Sequence, residues 1–322
     1  MPWIKLVRGI LLLLAAVTAI GCSASAPASV RTPGPTPSPA ANPSATGRYG
    51  TAVKLANLAD RSIKESSGIV ASRQNPGIHW THNDSGDGPF IYAFDRTGKS
   101  AGVWRVAGAT ADDWEDIATG PGPDGSGNYL YVGDIGDNGR NRDEVIVYRF
   151  PEPKILPEDA NSTSASPQTT EPAEPLLLRY QDGKHNAEAL LVHPQTGDLY
   201  LVTKKQDGAA GVYKIAAAAL REPRVQTLVK VADLELPTVI PGLVTGGDIS
   251  PDGRRLILCD YFSGYEYTLT GTDFDSIWKE KPETVDLGGR EQGEAVCYSL
   301  DGKAVLATSE GVPTALFENT IK

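Results

Sequence analysis

The stretch AEALLVHPQTGDLYLVTK, residues 187–204, contains two short apolar runs with a polar turn between them. Both runs are rich in Leu and Val, and the turn PQTG (194–197) places a glycine where a tight turn requires positive φ. An apolar run, a turn and a second apolar run are typical of two antiparallel strands. The segment therefore predicts a β-hairpin that begins beside an acidic residue, Glu188.

Four further segments follow the same plan, at intervals of roughly 40–60 residues, which is the signature of a propeller or a solenoid. They are ESSGIVASRQNPGIHWTHND (65–84), WEDIATGPGPDGSGNYLYVGD (114–134), VTGGDISPDGRRLILCD (244–260) and GEAVCYSLDGKAVLATSE (293–310). Further β-rich runs follow each hairpin, so that four strands can be drawn for most repeats. We therefore expect an all-β fold, a β-propeller of five four-stranded blades, with six blades as the alternative.

The last repeat has one strand too few, whereas the run TAVKLANLAD (51–60) precedes the first repeat and belongs to no blade of its own. We expect this N-terminal strand to complete the last blade and to close the ring. Closure is favoured because it removes exposed sheet edges.

The first 21 residues have the features of a secretory signal, since Lys5 and Arg8 precede a short apolar run. That run is shorter than the roughly 20 residues that a membrane span needs. The following TAIGC (18–22) resembles a bacterial lipobox, so residues 1–21 are predicted to be a lipoprotein signal peptide and Cys22 a diacylated, palmitate-bearing N-terminus. An ordinary signal peptide with an incidental cysteine is the alternative.

Residues 23–48 consist almost entirely of Pro, Ala, Ser, Thr and Gly. Such a segment cannot bury enough apolar area to offset its ordering entropy, so it is expected to be an extended tether. This divides the chain into a lipidated tether, residues 22–49, and a propeller domain, residues 50–322. We expect an extracytoplasmic protein that is lipid-anchored to the bacterial cell membrane.

The net charge of −10 argues against nucleic acid and against an anionic membrane surface as the partner. Membrane contact is expected through the lipid anchor alone. The partner is predicted to be a ligand or a protein of the cell envelope, and the chain to be a monomer.

Apart from Cys22 the chain has two cysteines, Cys259 and Cys297, which fall in neighbouring repeats. Outside the membrane they can form a disulfide, and two buried free thiols are the alternative.

The second repeat is interrupted by PEPKILPEDANSTSASPQTTEPAEP (151–175), which is rich in Pro, Ser, Thr and Glu. This low-complexity insert is predicted to be a disordered surface loop.

Polar residues gather where a propeller brings them together, since the start of each innermost strand and the end of the next strand lie at one rim. The innermost starts supply Glu65, Glu115, Asp116, Glu188 and Glu294, and the second-strand ends supply His82, Asn83, Asp84, Asp134, Lys204, Asp260 and Glu310. In the fourth repeat Thr245 and Asp248 compete for the equivalent place, and the sequence leaves that register open. The residues predicted to bind a ligand are Asn83, Asp84, Glu115, Asp116, Lys204, Asp260 and Glu294.

So many carboxylates at one rim repel one another unless a cation compensates them. Calcium takes six to eight oxygen ligands, and the loops DSGDG (84–88) and DIGDNG (134–139) supply further oxygens although neither completes an EF-hand. The candidate metal ligands are Glu115, Asp134, Asp137, Glu188 and Glu294. The alternative is that Asp and Asn here only build turns.

Catalytic signatures are sparse, because the sequence has no Gly-x-Ser-x-Gly elbow and no Walker A motif. His82 and His185 lie near the predicted rim and are the candidate general acids or bases, together with Glu115 and Glu188. The histidine and cysteine spacing does not supply a zinc site.

The motifs WTHNDSGDGPFIYAFDRTG, DWEDIA, YVGDIGDN and VTGGDISPDG resemble a group of largely uncharacterised bacterial extracytoplasmic propeller lipoproteins. That group is loosely similar to the esterase-like phytase and TolB-type propellers, and the resemblance covers most of residues 60–310. It implies a propeller outside the cytoplasm but no established reaction. True β-propeller phytases would imply calcium-dependent phosphoesterase chemistry, yet their clusters of phosphate-binding lysines and arginines are not evident here.

Two functions follow as hypotheses. The first is an anchored binding module whose acidic channel mouth holds a ligand or protein partner, with calcium. The second is a hydrolase of a phosphoester, ester or glycan that uses the carboxylates and a histidine of the same mouth.

Overall fold

The computed structural model describes residues 47–322. The predicted signal peptide, Cys22 and the tether up to residue 46 lie outside the described residues. Within residues 47–322 the fold is all-β, with 21 strands and three short 3-10 turns. No helix in this part of the chain has the length and apolar character needed to cross a membrane.

The strands follow the predicted runs closely. The first ten are β1 (Val53–Asn57), β2 (Ser66–Ala71), β3 (Ile78–Asn83), β4 (Phe90–Asp95), β5 (Ser100–Arg105), β6 (Trp114–Gly120), β7 (Tyr129–Asp134), β8 (Val145–Pro151), β9 (Gln168–Thr169) and β10 (Glu174–Tyr180). The next eleven are β11 (Ala187–Val192), β12 (Leu199–Thr203), β13 (Ala210–Ile215), β14 (Gln226–Leu234), β15 (Gly246–Ile249), β16 (Arg255–Cys259), β17 (Ser263–Thr268), β18 (Glu283–Asp286), β19 (Gly293–Tyr298), β20 (Ala304–Ser309) and β21 (Ala315–Thr320). The 3-10 turns are Pro157–Asn161, Ala219–Arg221 and Phe274–Lys279.

The strands pair into four sheets, in which five antiparallel units of four strands can be followed. The units β2-β3-β4-β5, β15-β16-β17-β18 and β19-β20-β21-β1 lie in separate sheets, and β9 adds to the first of them at the edge. The units β6-β7-β8-β10 and β11-β12-β13-β14 form one eight-stranded sheet, because β10 pairs with β14 in parallel over three residues.

The first strands of the units contact one another in a closed ring, in the order β2, β6, β11, β15, β19 and back to β2. Five apolar clusters lie between successive units. In one of them Trp80 packs edge-on against Trp104 and shares its cluster with Trp114 of the next unit. Burying a large apolar side chain stabilises a fold by about 1.5–3 kcal/mol, so these clusters hold the ring together.

The prediction that a strand within residues 51–60 pairs with the last unit is confirmed. β1 runs antiparallel to β21, from Val53 opposite Glu318 to Asn57 opposite Ala315. Just before β1, the Tyr49 hydroxyl donates to Glu266 of β17. The N-terminal segment thus belongs to the last unit and also contacts the one before it.

The predicted turn glycines are also confirmed. Gly197, Gly253 and Gly302 have φ of 74°, 70° and 66°, each in the turn between the first and second strand of its unit. A residue with a Cβ is strained in this left-handed region, which explains the glycine in each corner.

The insert 151–175 is ordered, so the prediction of a disordered loop is wrong. Residues Gln168–Thr169 form β9 and pair with Trp104 and Arg105 of β5. The Ser162 hydroxyl accepts the amide of Val103 at 2.8 Å. The insert is ordered although its apolar content is low, because its hydroxyls and backbone form hydrogen bonds with the free edge of β5. Hydrophobicity alone does not predict such hydrogen bonds.

The predicted disulfide is absent, and the alternative of two buried free thiols is correct. The Cys259 sulfur, at the end of β16, lies against the carbonyl oxygen of Glu294 at 3.6 Å. Cys297 is three residues further along β19 and packs in a different apolar cluster, with Ile69 and Leu306. Adjacent repeats therefore bring the two strands together without bringing the two sulfurs into bonding distance.

Candidate functional site

Three glutamates of the predicted rim occupy β-bulges at the same place in their strands. The pairing with the second strand slips by one residue at Glu115 in β6, at Glu188 in β11 and at Glu294 in β19. A bulge leaves its residue unpaired and re-aims the side chain. Glu115 and Glu294 each interact electrostatically with Glu188, so the carboxylates converge at one end of the ring, which we call the mouth.

Asp84, Asp113 and Glu115 form the tightest group of carboxylates at the mouth. One oxygen from each lies within 4.8 Å of the other two. Within residues 47–322 none of the three forms a salt bridge. Burial raises the pKa of Glu115 well above its ordinary value, and the charges of Glu188, Asp84 and Asp113 raise it further.

The carboxylate of Glu115 is the centre of this acidic trio. Glu115 is only 3% exposed, and within the described chain its side chain has no hydrogen-bond donor. Burial, reinforced by Asp84 and Glu188, raises the pKa of Asp113 to about 7. A buried, unpartnered carboxylate beside two others is costly unless it is protonated or neutralised by a cation.

Gly136 in the loop after β7 makes room for the trio. A Cβ at this residue would lie 2.2 Å from Glu115 Oε1 and 2.4 Å from Asp113 Oδ2. The Gly136 amide also donates to the Asp113 carbonyl at 3.1 Å, which fixes this loop beside the start of β6. The missing side chain therefore lets two carboxylates approach the same point.

Lys204 pairs with the second bulged glutamate. Its Nζ lies 3.0 Å from Glu188 Oε2 and 5.3 Å from the centre of the Tyr261 ring. The Asn186 amide donates to the other oxygen of Glu188 at 2.8 Å. Burial opposes the charge on Lys204, but the carboxylates of Glu188 and Glu294 outweigh it and raise the pKa of the ammonium. Burial also raises the pKa of Glu188, to about 7, although Lys204 lowers it.

Glu294 and Glu310 form a carboxyl pair on the other side of the mouth. Burial, together with the charge of Glu310 and a hydrogen bond to it, raises the pKa of Glu294 to about 8. Burial also raises the pKa of Glu310. Gln292 donates to Glu294 at 3.3 Å. Two carboxyl groups this close share a proton more readily than they bear two charges.

Two predicted metal ligands of the loop after β7 have other roles. Asp134 is fully buried and accepts the amides of Asp112 and Asp113 at 3.1 and 3.2 Å, and Arg142 at 2.7 Å. Asp137 accepts the amides of Asn141 and Arg142, both at 2.8 Å. The carboxylate oxygens of both residues are thus engaged by donors of the protein, mostly backbone amides, as the alternative of turn chemistry expects.

Three residues predicted to bind a ligand also serve the backbone. Asn83 accepts the amides of residues 64 and 65, Asp116 those of residues 117 and 190, and Asp260 those of residues 262 and 263. Asp116 thereby joins β6 to β11, the first strand of the next unit. The side-chain oxygens of all three residues are therefore engaged by backbone amides of this chain.

Neither candidate histidine lies with Glu115 and Glu188. His82 is fully buried, with Nδ1 2.8 Å from the carbonyl of Asn83, and burial lowers its pKa to about 4. His185 is bound to Asp182 at 2.9 Å and to the Tyr213 hydroxyl at 2.8 Å. Sequence proximity to the rim suggested both histidines, but their ring nitrogens contact Asn83, Asp182 and Tyr213 rather than Glu115 or Glu188.

The register of the fourth unit is settled against both candidates. Asp248 accepts the amides of Ile249 and Tyr298, so it joins β15 to β19 just as Asp116 joins β6 to β11. Thr245 is buried and donates to the Gly293 carbonyl at 3.1 Å. β15 has no bulge, and the fourth unit contributes no carboxylate from its first strand to the mouth.

Asp113 and Gly136 are the site residues that sequence reasoning missed. Asp113 stands two residues before Glu115 in DDWED, a spacing that puts both side chains on one face of an extended chain. That signal was available in the sequence. No such signal marked Gly136 in the sequence, because the effect of this glycine depends on which side chains lie over it in the folded chain.

A polar pocket of about 500 Å³ opens beside the Glu188–Lys204 pair. It lies between the loop after β7 and the loop after β12, and its lining includes Asn138, Arg140, Asn186 and Gln206. Arg140 has a φ of 51°, a left-handed conformation that is uncommon outside glycine. The mouth therefore offers amide and cationic groups next to its carboxylates.

No protein-family model and no curated protein matches the chain. Among solved structures, one described as "Structure of Dos1 propeller" is similar over 80% of this chain and 78% of its own, with 9% identity and a TM-score of 0.38. A TM-score this low carries no argument about function. The ring of units rests on the strand pairing and contacts of this chain alone.

Proposed function

We propose that this protein is a five-bladed β-propeller that serves as a binding module, with a calcium ion held at the mouth by Asp84, Asp113 and Glu115. The five antiparallel units and the closed ring of their first strands support the blade count. The mouth is the binding surface, and its partner is a ligand or protein of the cell envelope.

The observation that carries this proposal is the acidic trio, which forms no salt bridge within the described residues and in which the Glu115 side chain has no hydrogen-bond donor. Oxygens that bind one calcium ion at about 2.3–2.6 Å lie at most about 5 Å apart, and the three oxygens of the trio all lie within 4.8 Å of one another. Carboxylates are the ligands that calcium prefers, and water or a bound partner completes its six to eight oxygens. A divalent cation also removes the repulsion among Asp84, Asp113 and Glu115.

The location is proposed from the N-terminal sequence. Lipidation at Cys22 anchors the chain to the membrane, and the tether up to residue 49 carries the propeller outside the cytoplasm. A binding module at this place meets extracellular calcium, for which weak sites with a Kd of about 10⁻⁴–10⁻³ M are common.

Thermal unfolding with and without calcium tests the site. We expect CaCl2 at 100-fold excess over its Kd to raise the Tm by roughly 5 °C or more relative to EGTA, since binding to the folded state alone contributes about 2.7 kcal/mol. Glu115→Gln is expected to abolish this shift and to raise the Tm in EGTA. Glu144→Gln, an exposed residue outside the trio, is the matched control and keeps the shift.

The cation site is contradicted when calcium leaves the Tm of the unaltered protein unchanged. It is also contradicted when Glu115→Gln retains the full shift.

A second candidate function, hydrolysis, is favoured by the Glu294–Glu310 pair. A carboxyl group with a pKa near 8 is protonated at neutral pH, as a general acid must be, and Glu188 with a pKa of about 7 is poised as a base. Turnover of p-nitrophenyl esters, phosphates or glycosides that is lost in Glu294→Gln and Glu188→Gln supports this function. Absence of turnover on all three substrate types contradicts hydrolysis and is the result expected of a binding module.

A further inference from the structure

Two large apolar side chains are exposed on the loops that surround the mouth. Val239, between β14 and β15, is 96% exposed, and Phe262, between β16 and β17, is 67% exposed. Single exposed apolar residues are ordinary, whereas a group beside a charged cavity marks an interaction site. We call Val239, Tyr261 and Phe262 the apolar patch.

Contacts between loops hold the patch together and place it at the mouth. Burial raises the pKa of the Tyr265 hydroxyl and the nearby Thr238 side chain lowers it, so the loop of Val239 lies beside the loop of Phe262. The amide of Gly293, next to Glu294, donates to the Tyr261 carbonyl at 3.1 Å. The Tyr261 ring faces Lys204. The patch therefore adjoins the carboxyl pair Glu294–Glu310.

The mouth beside the patch carries more carboxyl groups than basic groups. Its carboxyl groups are Glu65, Asp84, Asp113, Glu115, Glu188, Glu294 and Glu310. Within the described residues Lys204 is the basic side chain paired with one of them, and Arg142 is paired with Asp134. With one proton shared by the Glu294–Glu310 pair and calcium bound, six carboxylate charges face Lys204, Arg140 and one divalent cation, so the mouth stays acidic.

We propose that the mouth docks a polypeptide segment in which a Lys or Arg side chain neighbours an aromatic or aliphatic one. The basic group reaches the Glu294–Glu310 pair, and the apolar group packs on Phe262 and Val239. This inference rests on the proposed function, since it takes the mouth to be the binding surface, but it does not require the cation.

Charge complementarity decides the class of partner. Opposite potentials on the two partners steer encounter and exclude wrong partners, so an acidic mouth selects a basic segment. The same carboxylates repel an anionic lipid surface. An apolar residue beside a basic one matches the patch, because aromatic and arginine side chains supply most of the binding energy at typical interfaces.

A displayed heptapeptide library, selected on the full-length protein and depleted on its Phe262→Ser variant, tests the inference. We expect the enriched peptides to carry Lys or Arg within three positions of an aromatic or aliphatic residue. The best peptide, measured by fluorescence anisotropy, is expected to bind Phe262→Ser and Glu294→Gln at least tenfold more weakly than the unaltered protein. Its affinity is also expected to fall as salt is raised.

Val229→Ser is the matched control, because Val229 is 51% exposed but lies on the outer strand β14, and it is expected to bind like the unaltered protein. Enriched peptides that are acidic or lack apolar residues overturn the inference, and so does a failure to enrich any peptide. Phe262-dependent binding to vesicles of phosphatidylglycerol and phosphatidylcholine overturns it in favour of a lipid surface.

The calcium shift in Tm is measured on the same variants and separates the two proposals. Phe262→Ser is expected to keep that shift while it loses the peptide. Peptide binding without a calcium shift contradicts the cation site alone, and a calcium shift without peptide binding contradicts the docking inference alone.

Discussion

Glu115 shows how one residue acquires a function from its neighbours. Its bulge in β6 re-aims the side chain, the bare backbone of Gly136 leaves space for it, and Asp84 and Asp113 bring two further carboxylates to the same point. Each of these features is ordinary when taken alone. Together they produce a buried carboxylate whose raised pKa reports both burial and repulsion.

Gly136→Ala is expected to weaken calcium binding at least tenfold without changing the charge of the site. The added Cβ would displace the ends of Glu115 and Asp113, which are flexible side chains, so the free energy of unfolding in EGTA should change by less than about 1 kcal/mol. Isothermal titration with CaCl2 measures the affinity, and urea unfolding in EGTA measures the stability.

Gly289→Ala provides the control for this change, because a Cβ at Gly289 meets no atom within 4 Å. Equal calcium affinity in Gly136→Ala and Gly289→Ala would show that the trio does not hold the ion.

At the scale of elements, free strand edges explain why two segments outside the repeats, the insert and β1, are ordered. β5 ends its unit with a free edge, and the insert covers it with β9 and with the hydroxyls of Ser162 and Thr170. β1 covers β21 in the same way. Covered edges remove unpaired backbone groups that would otherwise recruit other chains.

Ser162→Ala is expected to lower the free energy of unfolding by about 1–3 kcal/mol, because it leaves the buried Val103 amide without its acceptor. Urea unfolding monitored by tryptophan fluorescence measures the change. Ser166→Ala, at an exposed residue of the same insert, is expected to stay within about 0.5 kcal/mol. A disordered insert would make the two variants indistinguishable.

At the scale of the whole molecule, closure joins residues that are most distant in sequence. Arg48 and Tyr49 bind Glu266, and β1 pairs with β21. The apolar cluster of Ile69, Phe90 and Leu306 then packs the last unit against the first. The mouth depends on this closure, because its carboxylates come from strands of different units that only a complete ring brings together.

The buried carboxyl groups that ring closure brings together also predict how stability depends on pH. Burial raises the pKa of Glu188 to about 7 and of Glu294 to about 8, from 4.5. The folded state thus holds protons that the unfolded state has lost, so the free energy of unfolding should fall as pH rises from 6.5 to 8.5. Glu188 faces Lys204, Asn186 and Glu294, and Glu294 faces Glu310, Lys204, Gln292 and Asp84.

Urea unfolding in EGTA at pH 6.5 and 8.5 measures this dependence, with a slope of up to about 1.4 kcal/mol per pH unit for each proton involved. The pH range begins at 6.5 because burial lowers the pKa of His79 and His82 to about 4. Below pH 6.5 these two histidines make the free energy of unfolding rise with pH, which opposes the effect of the glutamates. The variant with both Glu188→Gln and Glu294→Gln should have a flatter profile. A stability that rises with pH in this window contradicts the expectation.

The parts of the fold that depend on local patterning were predictable. Short apolar runs and glycine corners at residues 197, 253 and 302 marked hairpins, and those hairpins are present. The insert was mispredicted because composition does not reveal a neighbouring strand edge. The carboxylates of Glu115, Glu188 and Glu294 were predictable as a group, since equivalent places in a repeat meet in space.

The repeated sequence pattern was sufficient to predict the all-β class, the hairpins and the acidic residues at the starts of the first strands. Which of these acids keep free oxygens depends on the folded chain, because an Asp that bonds backbone amides, such as Asp134 or Asp116, has the same sequence signature as one that does not. The physical reason is that donors and burial come from residues that only the folded chain brings close, such as Arg142 at Asp134 and Leu190 of the next unit at Asp116.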